Sequence, residues 1–222
     1  MEKIREHTRV NDILLGPLER PTLQWLAAHM PAWVTPDTCT VAGTLGALLT
    51  LISYGLSNIS PTYLWLASLG FFINWLGDSL DGTLARYRRI ERPRYGYYID
   101  HTMDVVCQVM IFLGLGLTPY ISFSVACLAL ISYLLLSVLV YIRTYVVGEF
   151  KISYGKLGPT ESRVIAVFLN ILMYFLGMQS LTLGGITISV YDLFVAMVAL
   201  LLAGFFLNTA LQEARKLAAL GE

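Results

Sequence analysis

Asp78-Ser-Leu-Asp81-Gly82-Thr-Leu-Ala85-Arg86, then nine residues, then Gly96-Tyr-Tyr-Ile-Asp100-His101-Thr-Met-Asp104: this stretch sets four carboxylates at the edges of two apolar runs. Asp78 and Asp81 are spaced i,i+3, and Asp100 and Asp104 are spaced i,i+4, so each pair projects from one face of a helix. The runs that carry them, 62–86 and 95–117, are joined by a short basic connection and are expected to be antiparallel neighbours. Both pairs then lie at similar depth and converge. A charge inside a membrane span costs roughly 2.5–3.5 kcal/mol on insertion scales, so such residues are functional candidates by default. Converging carboxylates in a low dielectric repel one another unless cations join them. Oxygen-only ligation favours a hard cation, Mg²⁺ first, with Mn²⁺ or Ca²⁺ as substitutes. Charge balance points to two divalent ions, and a two-metal site usually handles phosphate. The competing reading makes the four residues salt-bridge partners of Arg86, Arg88 and Arg89; it suits one Asp better than four at helical spacing.

Composition agrees with a membrane setting. Of 222 residues, 56% are hydrophobic and 14% are charged, against roughly 25% charged in soluble domains. That excludes an ordinary cytosolic enzyme, a disordered chain and a secreted disulfide scaffold. Fifteen basic residues balance fifteen acidic ones, so no nucleic-acid partner is implied. Cys39, Cys107 and Cys127 sit in or beside apolar runs without metal-ligand spacing and read as packing residues. Residues 1–12 carry too much charge for a cleavable signal peptide.

Six apolar runs, at 37–57, 62–86, 95–117, 121–147, 162–178 and 190–210, approach the ~20 residues that a spanning helix needs. The last is expected to continue into the polar stretch 212–216. The alternating ten-residue segments of a transmembrane barrel are absent. Lys and Arg are missing from 58–61, 118–120 and 179–189, and all fifteen fall in the other connections, the termini and the adjoining helix ends. The positive-inside rule then places both termini in the cytoplasm with an even number of spans. Before the first span, apolar residues from Ile4 to Leu26 mix with charge, interrupted by Gly16-Pro17 and Pro21. This is the pattern of amphipathic helix lying on a membrane surface, with a plain cytoplasmic cap as the alternative. The predicted fold is an all-α membrane protein: an interfacial segment over 1–35 and a six-helix membrane domain over 36–222. Asp192, at the far end of the last span, reads as interfacial.

Gly82 follows Asp81, Arg86 lies one turn beyond it, and Gly96 lies one turn before Asp100. Glycine allows a bulky ligand to approach the backbone, and guanidinium suits phosphate. Each glycine alone would also serve helix packing. Taken together, the quoted residues resemble the defining motif of the CDP-alcohol phosphotransferases, DxxDGxxAR followed after eight or nine residues by GxxxDxxxD, at all eight fixed positions. The resemblance runs from about residue 36 to the C-terminus and implies a six-helix fold, commonly homodimeric. It implies transfer of a substituted phosphate from a CDP-linked donor to an alcohol, with release of CMP, in phospholipid synthesis. It further implies that Asp78, Asp81 and Asp100 hold one metal ion and that Asp78, Asp100 and Asp104 hold the second. Gly82 and Arg86 would contact the CDP group, with Gly96 beside them, and Asp104 would be the base for the acceptor hydroxyl. Pro36-Asp37-Thr38-Cys39-Thr40 resembles the family's PNxxT segment at the nucleotide site, with Asp37 in place of Asn. His101 resembles the DHGxD form of choline and ethanolamine phosphotransferases, where a His is a second candidate base; Thr102 stands where that form has Gly.

The resemblance also suggests an acceptor site at Arg143, Glu161 and Arg163, with the arginines suited to a phosphate and Glu161 to an amine. Simple positive-inside placement is the alternative, above all for Lys151 and Lys156. The expected donor is CDP-diacylglycerol. The alternative is CDP-choline or CDP-ethanolamine acting on a diacylglycerol-type lipid. Two rivals differ in class. An Asp-rich prenyltransferase, faintly suggested by Asn74 and Asp78, would need more spans. A divalent-cation transporter would place the Asp residues near the midplane rather than at one end.

Overall fold

The computed structural model describes residues 8–10, 14–147, 149–151, 158–183 and 186–219. In chain order the elements are β1 (Thr8–Val10), α1 (Gly16–His29), α2 (Pro36–Leu56), α3 (Tyr63–Arg88), α4 (Pro93–Gly116), α5 (Phe123–Val147), β2 (Glu149–Lys151), α6 (Pro159–Leu176), β3 (Ser180–Leu183), β4 (Ile186–Ser189) and α7 (Val190–Ala219). Helices α2, α4, α5, α6 and α7 are long and apolar enough to cross a membrane. Helix α3 has 26 residues and would reach across a hydrocarbon core at ~1.5 Å per residue. Its last turns, however, carry Asp78, Asp81, Arg86 and Arg88, and by length and composition it does not join the other five. Two short ribbons complete the chain, β1 parallel to β2 and β3 antiparallel to β4. Neither was expected.

Local chemistry sets the helix starts near the site. Thr35 caps α2 through a reciprocal box with Thr38, and Pro36 occupies the first turn, where a missing N–H costs nothing. Helix α3 stops at Arg89, whose φ of 57° places a non-glycine residue in the left-handed region. Arg89 and Ile90 there donate back to the carbonyls of Arg86 and Ala85. This stop turns the chain sharply into α4 and sets its first turns beside the end of α3.

Helices α2 and α3 meet backbone to backbone. A Cβ at Gly46 would stand 2.6 Å from the Asn74 nitrogen, and one at Gly77 would stand 2.4 Å from the Cys39 carbonyl oxygen. Glycine is required at both crossings. The resulting seam brings Thr40 of α2 against Asp81 of α3. Helix α2 also packs on α4, α4 on α5, α5 on α7, and α6 on α3. One apolar core, centred on Tyr54, Phe71, Met173 and Val195, joins the helices toward the end away from the carboxylates. A second joins Leu23 and Ala27 of α1 to Cys39, Leu80 and Leu84. Arg88 fixes the α1–α2 connection, donating to the carbonyls of Met30 (2.9 Å), Pro31 (2.8 Å) and Val34 (2.5 Å).

Asp192, expected at the interface at the far end of the last span, makes its contacts inside the protein. It is buried, and it accepts from the Ser122 backbone N–H (2.7 Å) and the Ser122 hydroxyl (2.6 Å). The start of α7 is thus bonded to the start of α5, and these local donors hold the carboxylate away from water.

Candidate active site

The first turns of α2, α4 and α6 and the last turns of α3 surround a cavity of about 920 Å³. Asp37, Thr40, Asp78, Asp81, Gly82, Arg86, Gly96, Asp100, His101, Asp104 and Arg163 all line it. Asp78, Asp100 and Asp104 each offer an oxygen within a mutual 4.8 Å. Oxygen donors at that spacing suit a hard divalent cation. Asp81 stands beside this group. Its carboxylate accepts from Thr40 Oγ1 at 2.8 Å and from the Gly82 N–H at 2.5 Å. The four carboxylates therefore form a group of three and a neighbour held by α2.

Arg163 supplies positive charge to the cluster. Its Nη2 donates to Asp78 Oδ2 at 2.7 Å and its Nε to Asn74 Oδ1 at 2.9 Å. Asn74 is buried and spends its amide N–H on the Gly43 carbonyl at 3.0 Å, so Arg163 is oriented from two sides. The pair is half-buried, so removing one member leaves the other charge poorly solvated and destabilises this corner of the site.

His101 is held between rings, stacked on Tyr97 at 4.0 Å and 5.0 Å from Tyr141. Its Nδ1 lies 2.9 Å from the Tyr97 carbonyl oxygen, which can only accept, so Nδ1 carries a proton. In the neutral ring the lone pair is then on Nε2. A Cβ at Gly82 would meet Arg86 Nη1 at 3.2 Å, whereas one at Gly96 would meet nothing within 4 Å. Gly82 thus leaves room for the Arg86 guanidinium, and Gly96 leaves open space. Asp37 forms an ion pair with Arg92, whose guanidinium lies 4.1 Å from the centre of the Tyr95 ring. The hydrogen bond to Asp37 pushes the Arg92 guanidinium above its ordinary value.

Two expected acceptor residues do not line the cavity. Glu161 is buried and accepts from the backbone N–H of Leu15 (2.8 Å) and of Gly158 (2.9 Å). It closes the start of α6 and clasps the start of α1. Arg143 Nε lies 3.3 Å from Glu213 Oε1, which joins α5 to the extension of α7. Of the three, only Arg163 faces the cavity. Conversely, α1 contributes Glu19, Arg20, Leu23 and Gln24 to the lining, although the sequence pattern there marks only a membrane-surface segment. Helical periodicity marks an apolar face; it does not mark which polar residue turns toward a site.

Fold and cavity together define a polytopic helical membrane protein with a carboxylate cluster at one end of the bundle. The particular family follows from comparison with known proteins. The CDP-alcohol phosphatidyltransferase family matches residues 33–209, and the chain belongs to it. Cholinephosphotransferase 1 of Gallus gallus is 29% identical over 176 residues, covering 74% of this chain and 50% of that protein. Cholinephosphotransferase 1 of Mus musculus is 29% identical over 188 residues, covering 80% of this chain and 46% of that protein. Phosphatidylinositol phosphate synthase of Cutibacterium acnes is 38% identical over 93 residues, covering 40% of this chain and 41% of that protein. The chain spans about half the length of the cholinephosphotransferases it matches.

Proposed function

We propose that this chain transfers a substituted phosphate group from a CDP-linked donor to an alcohol and releases CMP, in phospholipid synthesis. The observation that carries the reading is the meeting of Asp78, Asp100 and Asp104 in a cavity that Arg86 and Arg163 also line. A bare cation pathway has no need of those guanidinium groups, whereas a diphosphate does.

Two Mg²⁺ ions belong to this reading. Asp78, Asp81 and Asp100 would hold one, and Asp78, Asp100 and Asp104 the other. Bound divalent cations neutralise a diphosphate and stabilise charge on departing CMP. Arg86, with Gly82, binds the CDP group, and Asp37, Thr40 and Gly96 border it. Arg163 steadies Asp78 and faces the acceptor. The acceptor oxygen attacks the phosphorus distal to cytidine, the bond from that phosphorus to the CMP oxygen breaks, and the hydroxyl proton passes to an Asp104 carboxylate oxygen. His101 Nε2 is the second candidate for that proton. Positioning of the hydroxyl contributes more than basicity when the base is a carboxylate held among cations.

The donor in this reading is CDP-diacylglycerol. A second reading, a CDP-choline or CDP-ethanolamine donor with a diacylglycerol-type acceptor, is favoured by His101 directly after Asp100 and by the matches to cholinephosphotransferases. We take all six long helices as spans, both termini as cytoplasmic, and the site as facing the cytoplasm. In this reading the segment over 1–35, of which residues 1–7 and 11–13 lie outside those described, is interfacial and sits on a 36–222 membrane domain. Outward Leu18 and Trp25 on α1, opposite buried Leu23 and Ala27, support it. A homodimer completes it.

The test is CMP release by purified protein in detergent with Mg²⁺. CDP-diacylglycerol and CDP-choline are offered in parallel against pooled alcohols, with EDTA as control. EDTA-sensitive CMP from one donor is the expected result and selects between the two readings. Mg²⁺ transport into sealed vesicles with no CMP from either donor would move the assignment to the transporter.

A further inference from the structure

Glu19 lies in the first turn of α1, and its carboxylate reaches two other helices. Oε1 accepts from Trp75 Nε1 at 3.3 Å and from Ser79 Oγ at 3.1 Å, both on α3. Oε2 accepts from Thr160 Oγ1 on α6 at 3.1 Å. The reverse contact is also made, because the Leu15 N–H at the start of α1 donates to Glu161 of α6 at 2.8 Å. Helices α1 and α6 therefore clasp each other by their first turns, each through a carboxylate of its own.

The clasp is one helical step from the carboxylate cluster. On α3, Trp75 and Ser79 form one i,i+4 row, and Asn74 and Asp78 form the next. Glu19 grips the first row and Arg163 the second. Thr160 and Arg163 are in turn i,i+3 on α6, so one rotation of that helix moves both. Glu19 itself lines the cavity with Arg20, Leu23 and Gln24. Three of its acceptor positions are taken by protein donors, so it is placed to hold walls rather than ligand.

We infer that Glu19 is a positioning residue of the transferase site. It locks α1 and the first turn of α6 onto α3, which holds Arg163 on Asp78 and closes one wall of the cavity. The inference rests on the transferase reading above, and the membrane-surface helix thereby becomes part of the site.

The experiment compares full-length protein with Glu19→Ala and Glu19→Gln in detergent. One arm measures backbone hydrogen exchange along the chain. The other measures CMP release with kcat and KM separated. Glu19→Ala is expected to speed exchange in α1 and in the first turn of α6 by about tenfold, and to lower kcat/KM by about tenfold or more. Glu19→Gln keeps an oxygen for Trp75 and Ser79 and is expected to stay within about threefold of the native chain in both arms. Should Glu19→Ala fail to fold, Thr160→Val removes the α6 contact alone and is expected to change both arms in the same direction. Native kinetics in Glu19→Ala would overturn the inference, whatever the exchange. Lost turnover with unchanged exchange would also overturn it, because Glu19 would then act on the substrate directly. CMP absent from the native chain would instead sink the transferase reading, and the exchange arm would still decide the clasp.

Discussion

Two ends of the same bundle handle carboxylates set in apolar helices in opposite ways. At the end where α5 and α7 begin, both oxygens of Asp192 are met by Ser122, through a backbone N–H and a hydroxyl. At the other end, Asp78, Asp100 and Asp104 stand within 4.8 Å of one another and border an open cavity. A carboxylate satisfied by neutral donors is a joint between helices. Three carboxylates gathered beside a cavity call for cations. In both places the sequence shows only Asp in an apolar helix; the supply of local donors separates the two roles.

Asp78→Ala gives the sharpest break of this contrast. Asp78 belongs to the close group and also carries Arg163. CMP release is expected to fall by about a thousandfold or more, with loss of Mg²⁺ dependence in what remains. Unchanged Mg²⁺ dependence would contradict the assignment of Asp78 as a ligand. Asp104→Asn keeps the shape and removes the base. Turnover is expected to drop by about a hundredfold or more while donor binding, read by equilibrium filtration, is retained. Normal turnover would remove Asp104 from the proton-transfer step.

Asp192→Ala tests the other side of the comparison. It strips the Ser122 N–H and hydroxyl of their partner inside the protein, which costs about 3 kcal/mol. For a chain of this size the detergent melting temperature is expected to fall by roughly 6–12 °C. The kcat of the folded protein should not change. A loss of kcat with an unchanged melting temperature would mean that the distant joint is coupled to the site.

The carboxylate cluster was legible in the sequence because its signal is local. Spacings of three and four residues fix a helix face, and a short basic connection fixes the neighbour. The long helices were legible for the same reason, and the observed ends differ from the expected ones by only a few residues except in α7, whose run into polar sequence was foreseen. What escaped depended on distant partners. Asp81 is drawn to Thr40, 41 positions away, and Glu161 to Leu15, 146 positions away. Neither pairing leaves a mark in local periodicity. The β3–β4 ribbon is a different kind of miss. Ser180-Leu-Thr-Leu and Ile186-Thr-Ile-Ser alternate apolar and polar residues around Gly184-Gly185, which is a hairpin signal. The absence of Lys and Arg from that connection reports which side of the membrane it faces, not whether it pairs into a ribbon.

The smallest expected effect lies at the cavity mouth, where Arg92 pairs with Asp37 and covers Tyr95. The two side chains are 52% and 48% exposed, unlike Arg163 and Asp78 at 15% and 24%. Water screens the outer pair, and such exposed pairs contribute little to stability. Arg92→Gln should therefore leave the melting temperature within about 2 °C. It also removes one guanidinium from the approach to a site for an anionic donor, so donor KM is expected to rise by less than about fivefold and more at low salt than at high. Replacing Asp37 with Asn removes the same ion pair but leaves Arg92 in place. If the ion pair alone mattered, the two variants would behave alike. A rise in donor KM of more than about tenfold for Arg92→Gln alone would show that the guanidinium leaves Asp37 to bind the donor, making the mouth of the cavity part of the site.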